Sequence, residues 1–197
     1  VTEQPAGGDP KTALDGIRDF YLQQTTPATA SAGGNAPTTG QIRAVTAQMG
    51  VFGSALNNLA IIASTWGMAH IFNNADVKTV DKYGAGATIL NGEVAKVNGI
   101  PLIVSGMVRN DMASTGKNTT AGPNTFTALY VAHRSRFLWG TRPGLGVETE
   151  RFKISDQTLI VMHDRRAFQY VGAGGASGEK AVGAVHHVPV TAASLGG

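Results

Sequence analysis

VDKYGAGATILNGEVAKVNGIPLIVS, residues 80 to 105, joins a turn-rich loop to a β-hairpin and carries no catalytic chemistry. Val94, Val97, Ile100, Leu102 and Val104 favour strands. They flank Asn98-Gly99, the dipeptide that most readily takes positive φ at both centres of a type I′ turn. Two strands joined by a two-residue turn are expected here.

Upstream, LAIIA (residues 59–63) is a compact apolar run that fits a buried strand, and Ser64 or Thr65 can cap a short helix through Phe72. Thr38 with Gln41 three residues later fits a capping box, followed by Ile42, Val45 and Met49 at helical spacing and a stop near Gly50. Asp9-Pro10 reads as a helix start, and Leu14, Ile17 and Tyr21 carry that helix to Gln23. Between them TTPATASAGGNAPTTG, residues 25–40, is small, proline-broken and without bulk to bury, so it reads as a loop or linker.

Downstream of Phe126 the pattern turns to β: FTALYVAH, FLWG, GVETERFKI and QTLIVMH, parted by Gly, Pro and Asp. Residues 172–178 are glycine-rich, 182–190 fit a last strand, and 191–197 form a tail. Helices and strands in this mixed order give an α+β class.

The 197 residues suit one domain or two small ones. Charged residues are 15% of the chain, against ~25% in ordinary soluble domains, which leaves surfaces poorly defended against association. Sixteen Lys and Arg against thirteen Asp and Glu give a net charge of +3. They form no stripe of the kind nucleic-acid readers carry. Zero cysteines remove disulfides, thiolate metal sites and cysteine nucleophiles, and no apolar run is long enough to span a bilayer.

Five histidines, at 70, 133, 163, 186 and 187, raise a metal or catalytic reading. His186 and His187 are adjacent, so on a strand they point to opposite faces and do not share an ion. His163-Asp164 has the elements of a general-base pair but no nucleophile motif beside it. Gly84-Ala-Gly86, Gly144-Leu-Gly146 and GGASGEK (174–180) each break the order a phosphate-binding loop requires. Asn118-Thr119-Thr120 matches a glycosylation acceptor, but no secretory leader accompanies it. No catalytic, cofactor or metal residue is assigned.

Arg134, Arg136, Arg142, Arg151, Arg165 and Arg166 cluster in otherwise charge-poor β segments. A guanidinium offers a rigid five-donor fork for carboxylates across an interface, so these six are candidate subunit contacts. A solvated strand face would carry the same residues.

LNNLAIIASTWGMAHIFNNADVKTVDKYG (56–84), the hairpin, and LYVAHRSRFLWGTRPGLGVETERFKISDQTLIVMHDRRAFQYV (129–171) follow one another in that order. Over most of Asp9 to Val171 this succession resembles the second half of a tailed-bacteriophage major capsid protein of the Hong Kong 97-type fold. The resemblance implies a mixed sheet with flanking helices and β-hairpins. It divides the chain into residues 1–56 (N-terminal helices and linker), 57–125 (axial-like core with the hairpin) and 126–197 (β-rich return to the peripheral domain, and tail). The family's N-terminal arm, extended loop and spine helix are not seen in this sequence, which begins at Val1. The resemblance therefore implies that this stretch alone does not close into shells.

The implied function is structural: copies tile in pentameric and hexameric capsomers around double-stranded DNA held without sequence preference. Scaffold, portal and decoration proteins are further expected partners. The expected location is the virion, assembled in the host cytoplasm, with no membrane partner and no cofactor. An encapsulin nanocompartment shell is the alternative, and a small hydrolase using His163 and Asp164 or a monomeric binding module are rivals from other classes.

Overall fold

The computed structural model describes residues 16–73, 93–118, 122–141, 146–152, 157–163, 166–172 and 180–191. In chain order the elements are α1 (Ile17–Gln23), β1 (Ala28–Ser31), α2 (Thr39–Gln48), α3 (Val51–Ser54), β2 (Leu59–Ala63), α4 (Thr65–Phe72), β3 (Glu93–Val97) and β4 (Ile100–Val104). They continue with β5 (Phe126–His133), β6 (Phe137–Thr141), β7 (Gly146–Phe152), β8 (Gln157–His163), β9 (Arg166–Tyr170) and β10 (Val182–Pro189). The class is mixed α+β, as expected.

The hairpin forms at the expected turn. Asn98 and Gly99 have φ of 53° and 83°, and Val97 pairs with Ile100 across them. Asn98 tolerates this conformation because its side chain is held: its Nδ2 donates to the Thr39 carbonyl at 3.3 Å and its Oδ1 accepts from Arg43 Nε at 3.2 Å. The turn is thereby tied to α2.

Six strands form one mixed sheet in the order β1-β10-β5-β2-β4-β3. β1 runs parallel to β10 and β2 parallel to β4, while the remaining neighbours are antiparallel. The sheet takes strands from each of the three stretches distinguished in the sequence, so all three share its core.

Strand alternation divides that core in two. Leu129 and Val131 of β5 join Ile42 and Val45 of α2, its C-cap Met49, and Ile71 of α4 on one face. Ala128, Tyr130 and Ala132 join Phe20 and Tyr21 of α1 on the other. Both faces being covered explains why β5 is buried at every position after Phe126.

The helix starts are set by side chains where these exist. Thr38 Oγ1 accepts from Gln41 N at 3.2 Å while Gln41 Oε1 accepts from Thr38 N at 2.9 Å, completing the expected capping box of α2. Ser64 Oγ accepts from Gly67 N at 3.1 Å and caps α4.

Two expectations are corrected. Helix α1 begins at Ile17 behind an extended Gly16 (φ −78°, ψ 166°), not at Pro10; Asp9 and Pro10 lie outside the described residues. Residues 25–40 are not simply a linker, because they supply β1. Ala28 and Ala32 are buried there: their small side chains let the strand lie under α2 and against Gly183 of β10.

Candidate subunit interface

Strands β6 and β9 pair from Phe137↔Tyr170 to Thr141↔Arg166, and β7 and β8 pair from Gly146↔His163 to Phe152↔Gln157. The second pair is nested in sequence within the first, so the two ribbons belong to one excursion of the chain between Phe137 and Tyr170. This arm is rooted on α1. The Phe20 ring stacks on Tyr170 at 3.9 Å and meets Phe137 edge-on at 6.0 Å. Phe168 then stacks on Phe137 at 5.5 Å, with Trp139 at 6.3 Å beyond it.

Beyond the root the arm carries apolar residues on both sides. By pleat and register, Val147, Ile160 and Met162 share one face with Thr149, Arg151 and Thr158. Leu159 and Val161 share the other with Glu148 and Glu150. All of these are exposed, Met162 at 66% and Ile160 at 57%. A two-stranded ribbon is marginal in water by itself, and an apolar patch of this kind marks a surface that another surface covers.

The sequence-derived arginines divide between the arm and its joint with the sheet. Arg134 donates from its guanidinium to the Asn57 carbonyl. Arg136 donates to the Val171 carbonyl at 3.2 Å and lies over the Phe52 ring. Both therefore bind their own chain just after β5. Arg151 stands exposed on β7, opposite Thr158. Arg166 enters β9 opposite Thr141, and Arg142 and Arg165 lie outside the described residues.

A second surface was not anticipated. Between α2, α3 and the β3–β4 turn lies an open groove of about 600 Å³, lined by Arg43, Ala47, Leu56, Asn98 and Ile100 among others. Val51, 85% exposed, begins the α3 helix beside it. The groove's lining comes from α2, α3, Leu56 and the β3–β4 turn, and tertiary packing brings these together.

His70, His133, His186 and His187 each make packing or hydrogen-bond contacts within the fold. His70 is buried, with Nε2 2.9 Å from the Pro189 carbonyl; since a carbonyl only accepts, that nitrogen carries the proton. His133 lies 3.0 Å from the Ser135 hydroxyl, and burial, then the Arg136 charge, holds its pKa below the ordinary value. His186 donates from Nδ1 to the Ser114 carbonyl at 2.7 Å, and burial likewise lowers its pKa. His187 takes φ 61° at a bulge between Val185 and Val188 and meets Phe126 edge-on at 4.3 Å.

Among the described residues no group of three or more His, Cys, Asp or Glu could hold a metal ion. No described helix is long and apolar enough to cross a membrane. The Asn118 amide donates to the Asp111 carbonyl at 2.9 Å. Asp164, Gly84, Gly86, Gly144 and residues 174–179 lie outside the described residues.

No family model matches the chain, and no curated protein matches it. Among solved structures it is similar to a phage capsid chain. That structure is the asymmetric unit of the bacteriophage PhiM1 mature capsid, at 14% identity and a TM-score of 0.48. The likeness covers 86% of this chain and 57% of the other, so the chain spans less than two thirds of that protein's length.

Proposed function

We propose that this chain is a structural shell subunit with no reaction to perform. One observation carries the reading: an arm with apolar side chains exposed on both faces, on a chain with only 15% charged residues. An enzyme gains nothing from such a ribbon, whereas a tiling subunit gains an edge to bury.

In its finer form the reading is a tailed-phage major capsid protein of Hong Kong 97-type fold, as the order of segments resembles. Copies assemble into pentameric and hexameric capsomers in the virion, around double-stranded DNA contacted at its backbone. Residues 57–125 surround the capsomer axes and residues 126–197 lead back to the periphery. Scaffold, portal and decoration proteins are the further partners. Arg142, Arg151, Arg165 and Arg166 face neighbouring copies, while Arg134 and Arg136 brace the joint from which the arm leaves.

The test is association. In sedimentation velocity the chain forms concentration-dependent oligomers, and Ile160→Asp with Met162→Asp suppresses them while leaving the circular dichroism spectrum intact. In the complete gene, reversing Arg142 and Arg151 together lowers particle yield. A chain that stays monomeric at its solubility limit, from a gene that yields no particles by electron microscopy, overturns the reading.

A further inference from the structure

Resting on the self-assembly reading, we propose that the arm of one copy seats in the groove of the next, with Glu150 of the arm paired to Arg43 of the groove. The two surfaces match in chemistry. Glu150 and Glu148 stand across from Leu159 and Val161 on one face of β7–β8, two carboxylates set among apolar side chains. The groove reverses the sign: Arg43 lines it together with Ala47, Leu56 and Ile100. Arg43 spends only Nε on Asn98, at 3.2 Å, leaving the terminal nitrogens of its fork for a carboxylate.

A second copy is the occupant because one chain does not bring its own two surfaces together. The arm's residues are exposed and the groove is open in the same molecule. The arm is also anchored on the α1 face of the sheet, through Phe137 and Tyr170 on Phe20, whereas α2, which lines the groove, packs on the opposite face. A DNA backbone fits less well: among the described residues Arg43 is the one cation lining the groove, not the row of cations that phosphates require.

Arm and groove are different patches, so the contact is heterologous: each copy gives one arm and receives another, and repetition closes a ring or extends a filament. One face of a seven-residue ribbon covers less than the ~1,200–2,000 Å² of a stable pair. A ring with two such contacts per copy holds together where a dimer does not.

The chain has no cysteine, which makes the test clean. Arg43→Cys and Glu150→Cys variants are mixed and oxidised with copper phenanthroline, then run on a non-reducing gel. The expected result is a cross-linked dimer from the mixture, far less from either variant alone, and a ladder of oligomers from the double variant. Arg43→Glu should weaken association about tenfold, the scale of a lost charge pair, and Glu150→Arg added to it should restore association. Equal cross-linking by either single variant, an internal cross-link within the double variant, or failure of the charge swap to rescue overturns the contact. An associating wild-type chain that gives no cross-link at this pair refutes the contact and leaves self-assembly standing. A chain that does not associate at all removes both.

Discussion

The guanidinium carbon of Arg136 lies 4.8 Å from the centre of the Phe52 ring, and that ring also meets His133 edge-on at 5.6 Å. Helix α3 thus touches the end of β5 and the start of the arm at one point. Phe52 packs against both halves of the core, so the contact joins the two faces of the sheet at the end of β5.

Phe52→Ala should cost about 2–4 kcal/mol, toward the lower end of aromatic truncations because the ring is only partly buried. Phe52→Leu keeps most of the packing and loses the cation–π contact, worth about 0.5–1 kcal/mol at an exposed site. Urea unfolding at neutral pH reads both, with Phe52→Ala the less stable.

Stability should fall as the solution is acidified through the histidine range. His133 and His186 both have folded pKa values below the ordinary 6.5, each chiefly through burial. Below pH 6.5 the unfolded chain therefore binds more protons than the folded one. Their contribution is present in full above that pH and is lost as pH falls toward the lowered values. Replacing both by Gln should flatten the dependence of the urea midpoint between neutral pH and pH 5.

Gly183 has no room for a side chain. A Cβ there would meet Val45 Cγ1 at 2.4 Å and the Ala28 carbonyl oxygen at 3.0 Å. Gly183→Ala should cost about 1–3 kcal/mol by overpacking. Val45→Ala in the same chain relieves the first clash but not the second. The double variant should therefore lose less than the sum of the two single losses, as measured by denaturant titration.

Phe20 should govern the arm more than the sheet. Phe20→Leu preserves bulk on the α1 face but removes the stack on Tyr170 and the edge contact with Phe137. Faster amide exchange in β6 and β9, with β2 and β5 unchanged, is the expected outcome. Equal acceleration across all four strands would place the arm in the same cooperative unit as the sheet.

The elements that could be read in the sequence are those whose local chemistry decides their conformation. Asn98-Gly99 fixes a turn, Thr38 with Gln41 fixes a helix start, and Ser64 does the same for α4. ATAS has almost no hydrophobic signal and is a strand only because β10 lies beside it. β9 was not singled out because it follows β8 directly after the polar residues 164–165, with no Gly or Pro between them. His186 and His187 were expected to diverge by simple alternation, whereas a bulge with φ 61° at His187 separates them.

The candidate interface was partly legible. The run LIVM in β8 announced a strand apolar on both faces, but not whether its own chain would cover them. The arginines were visible as a cluster, yet Arg134 and Arg136 bind backbone carbonyls of their own chain, which no spacing reveals. The groove depends on α3 folding against α2, a tertiary event without a pattern in the sequence.

Strand β10 lies between β1 and β5, although some 150 residues separate it from β1. During synthesis β1 lacks its sheet partner until residues 182–189 emerge, and until then β5 keeps one edge bare. The fold is completed by nearly the last described segment to be translated, so a nascent chain does not present a finished building block. Maturation of the monomer is thereby timed to follow the translation of Pro189.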